Sequence, residues 1–357
     1  MKKKLENLRK KIDEIDRKIL ELLNKRTEIV LEIKNLKQKL SSRTYSPERE
    51  RKIILNLQKI NKGPIPDEAL KNIFTEIINA SRALQEKTRV SYLGPEATFT
   101  HMAAIKNFGK YAIFIPCPTI NDVFLSVNRG DADYGVVPIE NSNEGVVNHT
   151  LDMFMESDLK ICAEIIEEIS HVLLSKEKSI KRIKKLYSHP SALAQCRRWI
   201  SMNLPHAELI ETSSTSIAAK KVLREKNSGA IASELAGKIY GLNILERNLE
   251  DKSDNYTRFL VIGKDFPSKS GKDKTSIMFS LKDRVGALHD ILYPFKKYKI
   301  NLTKIESRPS KRKAWEYYFF VDFQGHVEDK NVKLALKEIE KNALIFKILG
   351  SYPVGLK

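Results

Sequence analysis

Residues 5–40 read LENLRKKIDEIDRKILELLNKRTEIVLEIKNLKQKL. Leu5, Leu8, Ile12, Ile15, Ile19 and Leu22 recur at alternating steps of three and four, the spacing of a heptad seam. The seam resumes through Ile29, Ile33, Leu36 and Leu40, and no Gly or Pro interrupts it before Pro47. A helix of that length spans about 55 Å at ~1.5 Å rise per residue, more than one small domain covers. A long helix whose apolar side meets a partner chain is therefore expected. Ser46-Pro47-Glu48 reads as an N-cap with Pro at the first helical position, opening a second helix that runs to about Ile60. Asn61-Lys62-Gly63-Pro64 breaks it, and Asp67 is expected to cap a third helix from about Glu68 to Lys87. Residues 1–87 thus form an all-helical domain.

Beyond Lys87 the pattern changes to short β-branched runs alternating with helical ones. The expected strands are Arg89–Leu93, Tyr111–Ile115, Tyr134–Ile139, Lys160–Leu174, Lys185–Ser188, Ala207–Glu211, Gly229–Ala232 and Tyr256–Ile262. This predicts an α/β domain over 88–266 with mostly parallel sheets, long enough for two lobes with a cleft between them. Phe266-Pro267-Ser268-Lys269-Ser270-Gly271 is a polar linker. The last domain, 274–357, reads as strand Thr275–Leu281, helix Ala287–Tyr298, strands Ile300–Ser307 and Trp315–Phe323, helix Lys330–Asn342 and strand Phe346–Leu349. That order, βαββαβ, is α+β and ferredoxin-like. The fold class is multidomain: all-α, then α/β, then α+β.

Composition excludes several functions. The chain has 357 residues, 41% of them hydrophobic, without the ~20-residue apolar run of a membrane helix. The basic N-terminus precedes charged heptads, so no signal peptide is expected. Cys117, Cys162 and Cys196 are far apart and lack metal-ligand spacing, which suits a reducing cytoplasm. The net charge is +18, but the lysines are spread along the chain and no nucleic-acid motif accompanies them. Neither nucleic acid nor membrane is an expected partner. A general positive field does help collect dianionic metabolites.

One step of four beyond Leu22, the seam lands on Arg26, and Lys37 lies three turns further along nearly the same line. The apolar row of the second helix extends back to Arg49 and Glu50. That of the third extends forward to Ser81 and Gln85. Each charge alone fits a seam edge from which it snorkels; three stripes that all turn polar fit a site inside a helix bundle. Together with Leu8-Arg9, Asp16-Arg17-Lys18-Ile19 and Leu22-Leu23-Asn24-Lys25-Arg26, these residues resemble the all-helical chorismate mutase family. The resemblance implies a dimer of interlocked helices that rearranges chorismate to prephenate. In it Arg26 and Arg49 grip substrate carboxylates, Arg9 reaches in from the other chain, Lys37 and Gln85 meet the ether oxygen, and Glu50 holds the hydroxyl. Ser46 stands where relatives often carry an acid.

In the middle segment polar clusters follow the strands: Tyr92-Leu93-Gly94-Pro95-Glu96-Ala97-Thr98-Phe99-Thr100, Glu140-Asn141-Ser142, Ser188-His189-Pro190 running on to Gln195, Thr212-Ser213-Ser214-Thr215-Ser216, and Asn255-Tyr256-Thr257-Arg258-Phe259. Singly these are turn and cap residues; five together predict a site for a small anion at strand ends. They resemble prephenate dehydratase. The resemblance implies loss of water and carbon dioxide from prephenate to give phenylpyruvate, without metal or organic cofactor. It puts Thr257 nearest the leaving hydroxyl, maps Glu140, Asn141, Ser188 and Gln195 onto the site, and makes Ser213, Ser214, Thr215 and Arg258 candidate carboxylate holders. His189 fits either a general acid or a loop-structuring residue. Ala97 replaces a glycine common among relatives.

Gly286-Ala287-Leu288 and Glu306-Ser307-Arg308-Pro309 give the last domain its likeness to the ACT family of amino-acid sensors. The resemblance implies L-phenylalanine as allosteric effector at Gly286, Ala287, Leu288, Glu306, Ser307 and Arg308, in a homo-oligomer that is a dimer or, using both interfaces, a tetramer. A chain with only the second activity, or one that only senses phenylalanine, is the alternative.

Overall fold

The computed structural model describes residues 1–39, 45–252, 254–310 and 316–355, with backbone alone at 37–39. Leu40, Trp315 and the side chain of Lys37 lie outside the described residues. The chain divides into two compact units, Met1–Ser46 with Ile53–Lys87, and Pro47–Lys52 with Thr88–Lys357.

The first unit holds α1 (Lys2–Lys39), most of α2 (Pro47–Ile60) and α3 (Asp67–Gln85). Pro66, not Asp67, stands at the N-cap of α3, and Asp67 and Glu68 lie in its first turn, where acidic groups favour the helix dipole. Asn61 ties the α2–α3 loop, its Nδ2 donating to Ile65 O and Asp67 Oδ1, both at 2.8 Å. The heptad seam of α1 is left open: Ile12 is 56% exposed, Ile19 49% and Leu36 59%.

In the second unit the chain first lays down β1 (Arg89–Leu93), α4 (Phe99–Phe108), β2 (Ile113–Cys117), α5 (Ile120–Arg129), β3 (Tyr134–Asn141), β4 (Gly145–Val146), α6 (Asn148–Glu156) and β5 (Lys160–Glu168). It crosses at Ile169-Ser170-His171 to a second lobe: β6 (Val172–Ser175), β7 (Lys185–Ser188), α7 (Pro190–Gln195), α8 (Arg197–Asn203), β8 (Glu208–Glu211), α9 (Thr215–Val222), β9 (Ser228–Ala232), α10 (Glu234–Tyr240) and β10 (Asn243–Glu246). It returns as β11 (Tyr256–Gly263). The expected single strand Lys160–Leu174 is therefore two strands, broken where the chain changes lobe. The two crossings are tied together, Ile169 N donating to Asn255 O at 2.7 Å and Leu249 N to His171 O at 3.1 Å.

The sheets are mixed rather than mostly parallel. β1 pairs parallel with β2 and β3, and β7 with β8 and β9. β11 runs antiparallel to β3 and β5, and β6 to β9 and β10. The antiparallel strands are the ones by which the chain enters and leaves a lobe, with no crossover helix to restore their direction.

The last segment folds as β12 (Asp273–Ser280), α11 (Ala287–Lys297), β13 (Leu302–Pro309), β14 (Tyr317–Gln324), α12 (Lys330–Asn342) and β15 (Ile345–Pro353), the expected βαββαβ order. Its strands join the first lobe's in one sheet ordered β13-β14-β12-β15-β5-β11-β3-β1-β2. The seam is the parallel pairing of Gly350 with Ile161. A Cβ at Gly350 would lie 2.4 Å from Ile161 O, so only glycine permits this approach.

Candidate functional site

In the helical unit Arg26 and Ser81 meet: Arg26 Nη1 donates to Ser81 Oγ at 2.5 Å, and Ser81 Oγ donates on to Ile77 O at 2.7 Å. Partial burial lowers the Arg26 pKa, but a guanidinium remains charged at any ordinary pH. One turn beyond Ser81, Gln85 Oε1 is buried without a hydrogen-bond partner among the described residues. Arg9 is exposed on α1. Arg49 and Glu50 lie in the first turn of α2, which belongs to the other compact unit, and the Lys37 side chain is outside the described residues. Arg82, passed over in the sequence because it lies beside the polar stripe rather than on it, is 4% exposed. Its Nη2 donates to Asn79 Oδ1 at 2.5 Å and its guanidinium lies 5.0 Å from the Tyr45 ring centroid, a cation–π contact.

A second polar cluster sits where β3 and β11 meet the lobe crossings. Thr257 and Asn141 are cross-strand partners, and Asn141 Nδ2 donates to Thr257 Oγ1 at 2.8 Å and to Asn255 Oδ1 at 2.9 Å. Asn255, fully buried, donates from Nδ2 to Gln195 Oε1 at 2.9 Å. The same Gln195 oxygen lies 3.0 Å from His171 Nε2, and Gln195 Nε2 donates to Glu144 Oε1 at 3.0 Å. Burial chiefly, against the pull of Gln195 and Glu250, lowers the His171 pKa, so the ring is neutral near pH 7. Phe99 stands edge-on to it at 5.4 Å. Thr257, Asn141 and Gln195 are thus linked in one cluster. Asn255 and His171 are additions; the first lay inside a quoted motif, the second gave no signal beyond being a polar residue between two apolar runs.

Side chains alternate across a strand, and this separates two other expected residues from Thr257. Arg258 and Glu140 are the next cross-strand pair and take the opposite face. Arg258 is occupied there: Nε pairs with Glu164 at 2.8 Å, Nη1 with Asp322 at 2.6 Å, and Nη2 donates to Tyr352 OH at 3.0 Å. Its side chain is engaged in a junction with β5, β14 and β15, on the face away from Thr257. Glu140 likewise turns from Thr257 and pairs with Lys304 Nζ of β13 at 2.7 Å.

Ser188 Oγ is buried and donates to Ile231 O at 2.7 Å, a bond that ties β7 to β9 rather than one offered to a ligand. Ser214 Oγ caps α9 by accepting from Ile217 N at 3.1 Å. Ser213 is exposed and Thr215 half-buried at the same helix start. His189 caps α7, its Nδ1 accepting from Ser191 N at 3.3 Å and touching Ser191 Oγ at 2.8 Å, the loop-structuring alternative. Ala97 has φ 67, the left-handed region in which a glycine is unstrained.

In the last segment Gly286 is the left-handed N-cap of α11, with φ 79 and open space where a Cβ would stand. Ala287 and Leu288 form the first turn. On β13, Glu306 and Arg308 share the face of Lys304, while Ser307 is exposed on the other. Arg308 Nη2 donates to Asp152 of α6 at 2.8 Å, so this residue of the motif is engaged within the chain. Among the described residues no group of three or more His, Cys, Asp and Glu is arranged to hold a metal, and no helix is long and apolar enough to cross a membrane.

Residues 8–86 match the family described as Chorismate mutase type II, residues 90–267 that described as Prephenate dehydratase, and residues 275–341 the ACT domain. A bifunctional chorismate mutase/prephenate dehydratase of Aquifex aeolicus is 52% identical over 356 residues, which is 99% of this chain and 98% of the relative. One of Pseudomonas aeruginosa is 43% identical over 98% of this chain and 97% of its own. The crystal structure of a prephenate dehydratase in complex with L-Phe from Arthrobacter aurescens is similar with a TM-score of 0.70 at 35% identity, over 74% of this chain and 90% of that one.

Proposed function

This chain belongs to the bifunctional chorismate mutase/prephenate dehydratases, and we propose that its two reactions run at separate sites, one around Arg26 and one around Thr257. It rearranges chorismate to prephenate and converts prephenate to phenylpyruvate.

The first reaction needs neither nucleophile nor proton transfer; it needs the reactive conformer held and negative charge on the ether oxygen stabilised. Arg26 and Arg49, with Arg9 of a second copy, are the proposed carboxylate grips. Lys37 and Gln85 are assigned to the ether oxygen, Glu50 to the hydroxyl, and Ser81 orients Arg26. The buried, unpartnered Gln85 oxygen supports a ligand at that end of the bundle.

In the second reaction the bond to the departing carboxylate breaks, its electron pair enters the ring, and the ring C–O bond breaks as Thr257 gives its proton to the leaving hydroxyl. Water and carbon dioxide leave, and solvent returns a proton to Thr257. The observation that carries this reading is the hydrogen bond from Asn141 to Thr257 Oγ1. It polarises a hydroxyl that alone is a very weak acid. Ser213 and Thr215, at the start of α9, are the remaining candidates for the substrate carboxylates. The test is prephenate turnover by purified protein: Thr257→Ala should lose phenylpyruvate formation, and full activity in that variant would refute the assignment.

L-Phenylalanine is the proposed feedback inhibitor, held by Gly286-Ala287-Leu288 and Glu306-Ser307 where two ACT domains pair, with Arg308 shaping the strand through Asp152. The L-Phe complex of the Arthrobacter relative supports this. The open seam of α1 and the edge position of β13 offer two self-pairing surfaces, one enough for a dimer and both for a tetramer. A cytoplasmic location suits a chain with three cysteines that are all buried.

A further inference from the structure

The amide cluster behind Thr257 has a direction, and that direction decides which way the Thr257 proton points. Asn141 Oδ1 accepts from the backbone N–H groups of Asn143 and Glu144, both at 2.9 Å. Backbone N–H groups only donate, so the oxygen of this amide is fixed on that side. Its nitrogen must face Asn255 and Thr257 and donate to both. Asn255 then accepts with Oδ1 and donates with Nδ2 to Gln195. Gln195 Nε2 donates to the Glu144 carboxylate, which turns the Gln195 oxygen toward Asn255 and His171 Nε2; burial lowers the pKa of that ring, and the tautomer that matches this oxygen carries its proton on Nε2. Every bond in the chain is consistent with one polarity. Thr257 Oγ1 therefore receives a hydrogen bond, and among the described residues no acceptor takes its own proton.

We propose that Asn255 and His171, acting through Gln195, are positioning residues that join the backbone N–H groups of Asn143 and Glu144 in holding the Asn141 amide in the orientation that leaves the Thr257 proton free for the substrate hydroxyl. The inference rests on the reading of Thr257 as the group that meets that hydroxyl. Reversal of the Asn141 amide would place an oxygen against Thr257 Oγ1, and the threonine proton would turn inward to it; reversal of Asn255 would set its NH2 group against the NH2 group of Asn141 and favour that turn.

Asn255→Asp tests the polarity. An ionised carboxylate accepts from Asn141 but presents an acceptor to the Gln195 oxygen. A protonated one accepts with one oxygen and donates with the other, as the native amide does. The titratable groups touching the relay are His171, Glu144 and Glu250, all present in the parent, so the variant is compared with the parent at each pH. Near neutral pH kcat for prephenate should fall roughly 10- to 100-fold with KM changed far less, a loss at the scale of general-acid catalysis. The ratio to the parent should recover as pH is lowered, whereas Asn255→Ala should show no recovery. Circular dichroism and a thermal melt of the same full chain report folding. A loss independent of pH would overturn the proposal. If Asn255→Asp does not fold, His171 decides: His171→Gln, which can still donate to Gln195, should keep more kcat than His171→Phe by roughly tenfold, and equal losses would overturn the proposal. Thr257→Ala run in parallel separates the two readings, since retained dehydratase activity there removes the premise and not the relay alone.

Discussion

The Thr257 hydroxyl is the smallest group on which the second reaction turns. Thr257→Ala should lower kcat for prephenate by at least about 100-fold, within the usual range of a general acid, while Thr257→Ser keeps much of it; a phenylpyruvate assay measures both, and mutase activity should not move. Arg26→Ala should do the reverse, costing the mutase roughly 100- to 1000-fold as loss of a preorganised charge does, with prephenate turnover intact. Loss of both activities in a variant with native circular dichroism would refute separate sites. Thr257, Asn141 and Gln195 were legible because their motifs are specific. Glu140 and Arg258 stand apart from that cluster for a reason of geometry: each is the sequence neighbour of one of its members, and in a strand the neighbour faces away. Only the register Thr257↔Asn141 and Arg258↔Glu140 reveals which member of each pair faces the cluster.

Strand β11 carries a second function on its other face, the junction with the last segment. There Arg258, Glu164, Lys274, Asp322, Ser276 and Tyr352 form one buried cluster. Burial acts to raise the Asp322 pKa, but Arg258, Ser276 and Lys274 outweigh it and hold the carboxyl below its ordinary 3.8. Its contribution to stability is therefore present above that ordinary value and lost as pH falls through the lowered one. Asp322→Asn should destabilise the second unit by about 3–5 kcal/mol, as removal of one partner of a buried pair does, and should flatten the acid limb of the unfolding profile; thermal melts across pH check both. The Lys304–Glu140 pair links the motif strand β13 to the residue beside Asn141. Lys304→Met should weaken phenylalanine inhibition by roughly fivefold or more, the low end of ordinary coupling, with a smaller effect on uninhibited kcat, measured from inhibition curves. None of this junction was legible in the sequence, because its members come from five separated strands and each reads alone as an ordinary polar residue on a strand.

Across the whole molecule, two changes of sequence period, from heptads to mixed α/β to βαββαβ, mark off a helical, an α/β and an α+β segment. What period could not give was the joining of two segments into one sheet, where Gly350 pairs closely with Ile161. The uncovered α1 seam is the surface on which the proposed self-association of the full chain rests. Ile15→Glu should shift it to a smaller species in sedimentation and reduce mutase activity, since Arg9 is proposed to act in a second copy. The most direct test of the whole account is a chorismate assay on the purified full chain with no added metal, following prephenate and phenylpyruvate with and without L-phenylalanine. The account predicts phenylpyruvate from chorismate, falling when phenylalanine is added. Phenylpyruvate from supplied prephenate alone would contradict the helical site, and no turnover of either substrate would contradict both.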